Sequence, residues 1–121
     1  MQSSKYINAA YEDIFVHEKR NFTQAVADAT GFTDDNYTGI ELDLDCLEGA
    51  VAGSCSGGVP ALMARRYVDF TAMDSKPAYL HICGGSGPGY DSARATHNGK
   101  LTGALVSDFI KSHSYGKAEP S

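Results

Sequence analysis

Apolar and acidic residues alternate from Ile40 to Asp45, and residues 37–44 are predicted to form a β-strand, because a period of two places successive side chains of a strand on opposite faces. The pattern predicts a strand with one buried apolar face and one acidic face. A flexible loop of small residues is predicted to follow at 49–58. The alternating residues are Ile40, Glu41, Leu42, Asp43, Leu44 and Asp45.

Two segments on either side of this strand have apolar residues at helical spacing. The first helix is predicted at 22–30, with Asn21 as its N-cap and Gly31 as its end. The second is predicted to run from Pro60, which suits the first turn of a helix, to Met73.

The C-terminal half repeats this arrangement. A second strand is predicted at 78–83 and a third, amphipathic helix at 100–112. The tail at 115–121 is predicted to be loose. Residues 10–16 fit either a short strand or a helical turn, and both interpretations stay open at this stage.

The predicted order of elements is helix, strand, helix, strand, helix, which is typical of an α/β fold with a parallel sheet. We expect residues 1–121 to form a single α/β domain with helices on both faces of that sheet. Because two strands make a small sheet, either residues 1–20 add a strand or the chain is part of something larger. In such sheets ligands gather at the carboxyl ends of the strands, where residues 43–45 and the glycine-rich 84–89 lie.

The net charge and the cysteine content exclude some classes of binding partner and favour one cellular location. The net charge of −5 argues against a surface for nucleic acid or for acidic membranes. The three cysteines form no Cys-x-x-Cys pair, which argues against a zinc knuckle or a disulfide framework. Free thiols, the lack of a signal-peptide pattern and the shortness of the apolar runs favour a cytoplasmic protein.

Asp43 and Asp45 are the candidate metal ligands. On a regular strand they would project side by side, about 6–7 Å apart. Two carboxylates at that separation repel each other unless a cation lies between them, and a hard divalent cation is the usual solution. A polar edge strand whose acids face water explains the same pattern, and the local sequence does not choose between the two.

The acidic strand resembles the segment that carries a metal motif in the ureohydrolase family, which includes arginases, agmatinases and formimidoylglutamases. The family motif is roughly Ser-x-Asp-x-Asp-x-x-Asp, and the matching positions are Glu41, Asp43, Asp45 and Glu48. The order of elements downstream is similar to the C-terminal part of a bacterial formimidoylglutamase-like branch. The resemblance spans about residues 11–112 and includes Ala64 to Tyr67, Tyr79 to Ile82, Gly99 to Leu101 and Leu105 to Ile110.

This resemblance implies a partial arginase-like α/β/α sandwich and a manganese-dependent hydrolase of linear amidines. Family members bind two Mn²⁺ ions and act on small guanidino or formimino compounds. By the resemblance, Asp43 and Asp45 would bind the metal, and Glu48 would support them. Whether the chain forms a homo-oligomer stays open at this stage.

The sequence departs from the family pattern in two ways. The histidine-bearing Gly-Gly-x-His and Asp-Ala-His-x-Asp motifs do not occur, and His17 is the only histidine before the acidic strand. Relatives commonly carry a substrate-contacting glutamate just past the second strand, where this chain has Gly84. The chain therefore resembles an incomplete, C-terminal portion of such an enzyme, and catalysis by this chain alone is not expected.

Other interpretations compete with the hydrolase. The main one is a non-catalytic α/β module, a truncated or decayed relative that acts in binding or assembly. The glycine-rich residues 84–89 would allow phosphate to approach the backbone, although the run is not Gly-x-Gly-x-x-Gly. His81 is more typical of a packed, hydrogen-bonded residue than of a catalyst. A nucleophilic Cys55 or Cys83 would need a nearby base.

Overall fold

The computed structural model of this chain describes residues 18–33, 35–47, 58–85 and 90–118, and side chains as far as 114. Within them the order is the predicted one of helix, strand, helix, strand and helix. The expectations for residues 10–16, Glu48, Cys55 and most of the two glycine-rich loops lie outside the described residues. The elements are α1 (Phe22–Thr33), β1 (Tyr37–Asp43), a 3₁₀ turn (Leu44–Cys46), α2 (Ala61–Asp74), β2 (Lys76–Cys83) and α3 (Ser92–Ala118).

The two strands pair in parallel, which confirms the prediction of an α/β fold. Glu41 lies opposite His81, and Asp43 lies opposite Cys83. The register is irregular only between Thr38 and Gly39, near Pro77. Proline has no N–H to donate to a partner strand, so it is tolerated near the start of β2 but not in its middle.

One face of the sheet is buried by α2 and α3. Ile40, Leu42, Val68 and Leu105 are buried there, as their apolar spacing along strand and helix predicts. The expectation of helices on both faces is not met by the described residues, because the opposite face is exposed. Tyr79, on that open face, keeps 50% of its surface accessible.

The first helix begins where capping chemistry predicts, and the second begins one residue after Pro60, which was expected in its first turn. Asn21 Oδ1 accepts from the Gln24 N–H at 2.8 Å, and Gln24 Oε1 accepts from the Asn21 N–H at 3.0 Å, which is a reciprocal capping box. Pro60 is the N-cap of α2. The first helix runs past Gly31 to Thr33, so the glycine does not end it.

The third helix corrects the sequence prediction at both ends. Asp91 caps it by accepting from the Arg94 N–H at 2.7 Å, so the helix begins near residue 92 rather than 100. Gly99 suggested a loop, but neighbouring buried residues hold it in the helix. Residues 115–118, expected in a loose tail, are helical as well. Among the described residues, this and the other helices lack the combination of length and apolar character that crossing a bilayer requires.

Candidate functional site

The acidic strand ends one residue earlier than its alternating pattern predicted, and this changes how its two aspartates are placed. β1 stops at Asp43, and Asp45 lies in the following 3₁₀ turn. Asp43 Oδ1 accepts the Asp45 N–H at 2.9 Å and so caps this turn. The expectation that both aspartates project from one regular strand is therefore wrong. The physical reason is that the Asp43 carboxylate accepts the Asp45 backbone N–H, and this hydrogen bond stabilises the turn in place of a further strand residue.

Asp45 is held in place by two hydrogen-bond donors, one just after β2 and one just before α3. Its Oδ1 accepts the Gly85 N–H at 3.2 Å and also the hydroxyl of Tyr90. These two donors stabilise the ionised carboxylate. The Tyr90 hydroxyl, and then the Gly85 N–H, lower the pKa of Asp45. The same hydrogen bond and the carboxylate charge raise the pKa of Tyr90.

Both carboxylates pack against the backbone of Gly84. Its φ of +72° lies in the left-handed region that favours glycine. A Cβ at this position would collide with Asp43 Oδ1 and lie 3.0 Å from Asp45 Cγ. The position where ureohydrolases commonly carry glutamate is therefore closed to any side chain in this arrangement. Asp43 and Asp45 share the space above Gly84, at the carboxyl edge of the sheet.

A second polar cluster lies on the open face of the sheet, two residues before the strand ends. Glu41 Oε1 accepts the Tyr79 hydroxyl at 3.0 Å, and Glu41 Oε2 lies 2.9 Å from His81 Nδ1. The hydrogen bond from His81, and then that from Tyr79, lower the pKa of Glu41. His81 is thus hydrogen-bonded, as expected, but it is exposed rather than packed.

The two described cysteines are not suited to act as nucleophiles. Loss of hydration, followed by the charge of Asp43, raises the pKa of both Cys46 and Cys83. A raised pKa keeps the sulfur as a thiol, whereas the thiolate is the reactive form. Cys83 lies on the same sheet face as His81, but the neighbouring acids oppose its ionisation.

The described residues supply only part of a metal centre. Carboxylate oxygens suit Mn²⁺, and Asp43 and Asp45 provide them at one edge. However, no group of three His, Cys, Asp or Glu side chains in the described residues is placed to hold a metal ion. By themselves, these residues do not fit the two-manganese site that the family resemblance implies.

Two residues at this edge, Tyr90 and Asn98, were not singled out from the sequence, whereas Gly85 belongs to the glycine-rich run that was. Tyr90 and the backbone of Gly85 bind Asp45, and the Asn98 side chain donates to the Gly85 carbonyl at 2.9 Å. A signal for one of them existed: Asn98 falls three residues before Leu101, on the buried stripe of α3. A buried amide needs a hydrogen-bond partner, so its position pointed to a specific contact.

Comparisons with known proteins do not assign the chain to a family. A scan against protein-family models finds no match, and a search of curated proteins finds no significant match. The ureohydrolase resemblance therefore rests on the residues of this sequence alone.

Proposed function

We propose that this chain contributes one part of a manganese-dependent hydrolase of linear amidines, of the ureohydrolase type, and that its own described residues form an incomplete site. The observation that carries the proposal is the position of Asp43 and Asp45, which meet over Gly84 at the carboxyl edge of a parallel sheet. This is the edge at which α/β proteins bind ligands. Both residues match the aspartates of the family motif.

The remaining metal ligands would have to come from outside the described residues. Two carboxylates leave most of the coordination sphere of Mn²⁺ open. The substrate would be a small guanidino or formimino compound. A cytoplasmic location belongs to the same proposal, since Cys46 and Cys83 are free thiols.

Calorimetric titration of MnCl₂ into the full chain tests the metal claim. We expect Asp43→Ala and Asp45→Ala each to weaken binding by at least about tenfold. Asp35→Ala is the matched control, because it removes the same charge from an exposed turn before β1. Absence of binding by the wild-type chain, or an equal loss in Asp35→Ala, would overturn the claim that this chain binds the metal through Asp43 and Asp45.

A non-catalytic α/β module is the second candidate, and a specific observation favours it. Asp43 and Asp45 already have partners within the chain: Asp43 caps the 3₁₀ turn and Asp45 binds Gly85 and Tyr90. The two acids would then serve the fold rather than a metal.

The two candidates differ in their response to metal. A module without a metal role should show the same thermal midpoint with EDTA as with excess MnCl₂, because a ligand raises the midpoint only if it binds the folded state. A rise in the midpoint that Asp43→Ala abolishes would exclude this candidate.

A further inference from the structure

Asn98 is a polar residue on the buried face of α3. Only 5% of its surface is accessible, and it is followed along the same face by buried Leu101 and Leu105. Burying an amide costs free energy unless its donors and acceptors are paired. A buried asparagine at this position therefore needs a hydrogen-bond partner. If the position served only packing, an apolar residue would be at least as stable there.

The partner of Asn98 is the backbone that holds Asp45. Its Nδ2 donates to the Gly85 carbonyl at 2.9 Å, and the Gly85 N–H donates to Asp45 Oδ1 at 3.2 Å. Gly85 has a φ of +80°, in the left-handed region. In this way one backbone residue connects the buried amide of α3 to the carboxylate at the sheet edge.

Gly85 is also confined on both sides. A Cβ built on it would lie 2.8 Å from Leu44 Cδ1 and 3.4 Å from Asn98 Nδ2. The Leu44 side chain is itself buried. The Gly85 backbone thus lies between the turn after β1 and helix α3. The hydrogen bond from Asn98 fixes the orientation of the Gly85 peptide group.

We propose that Asn98 is a positioning residue for the candidate site: through the Gly85 backbone it holds the N–H that orients Asp45. The consequence for metal affinity rests on the proposed function, whereas the positioning itself does not. Asn98 bonds the Gly85 carbonyl and not a carboxylate, so its effect on a metal ion would pass through Gly85.

The test compares Asn98→Leu, which keeps the size and removes the donor, with Ser112→Ala. Ser112 is a matched control because it is also buried on α3 and bonds a side chain of α2, Asp69, away from the site. Amide hydrogen exchange at Gly85 is measured by NMR on the full chain, together with Mn²⁺ affinity by calorimetry. If Asn98→Leu does not fold by circular dichroism, Asn98→Ala takes its place.

We expect exchange at Gly85 to become about tenfold faster and Mn²⁺ binding about tenfold weaker in the Asn98 variant, which is the scale of one lost hydrogen bond. In Ser112→Ala, the exchange rate at Gly85 and the Mn²⁺ affinity should each stay within about twofold of wild type. Equal exchange at Gly85 in the two variants would overturn the positioning role and leave Asn98 as a general stabiliser. If the wild-type chain binds no Mn²⁺, the proposed function fails, while exchange at Gly85 still decides the role of Asn98.

Discussion

Gly84→Ala is the substitution that most directly tests the geometry of the strand-end site. Alanine in the left-handed region costs about 1–2 kcal/mol, and the φ of Gly84 is +72°. The new Cβ would also collide with Asp43 Oδ1 and displace it. That would break the hydrogen bond with which Asp43 caps the turn, a loss of about 1 kcal/mol. We therefore expect the free energy of unfolding to fall by about 2–3 kcal/mol.

Urea denaturation followed by circular dichroism measures this change, and Gly103→Ala is the matched control. Gly103 lies inside α3 with nothing within 4 Å of a Cβ placed there. Alanine is a better helix former than glycine, so this control should gain about 0.5–1 kcal/mol. The two substitutions are chemically identical but should have opposite signs. A Gly84→Ala protein as stable as wild type would refute the strained, carboxylate-lined geometry at the strand end.

Three further predictions concern the core, a helix cap and the open face. Leu105→Ala should lower the free energy of unfolding in urea by about 3–4 kcal/mol, because the side chain is completely buried. Asn21→Ala should cost about 1 kcal/mol in the same assay, through loss of the α1 cap. The pKa of Glu41 is lowered by His81 and Tyr79 in the folded chain. Its stabilising contribution is therefore complete above the unfolded pKa and is lost as pH falls through the folded pKa. Glu41→Gln should accordingly reduce the loss of stability on acidification, and an unchanged pH profile would contradict this.

The sequence predicted the elements whose signals are local. The alternation from Ile40 to Asp45 predicted β1, which ends at Asp43, and the spacing of apolar residues after Pro60 predicted α2. Both signals are periodic and depend on residues close in the chain. The start of α3 was missed because Gly99 argues for a loop, whereas capping by Asp91 and burial around Leu101 outweigh the cost of glycine in a helix.

The site was harder to predict because its contacts join distant parts of the chain. Asp45 was identified as important, but its partners Gly85 and Tyr90 are 40 and 45 residues away. No local pattern places a tyrosine against a particular carboxylate. Asp45 could continue the strand or enter a turn, and its alternating neighbours favour the strand. The carboxylate of Asp43 favours the turn by bonding to the backbone, an interaction that alternation of apolar residues does not report.

The parallel topology by itself accounts for part of the meeting of the two aspartates at the carboxyl edge. A parallel topology brings the residues after each strand to one edge, whatever those residues do, and a fold does not by itself imply an activity. What distinguishes a metal site from a polar edge is whether the ligand set is completed. Parallel sheets are normally covered on both faces, yet here the face of Glu41 and His81 is open beside Asp43. Among the described residues, the ligand set falls short of three groups and the sheet is uncovered on one face. Asp43 lies two residues after Glu41 on β1, opposite Cys83, so the manganese titration of Asp43→Ala against Asp35→Ala is the measurement that separates the two candidate functions.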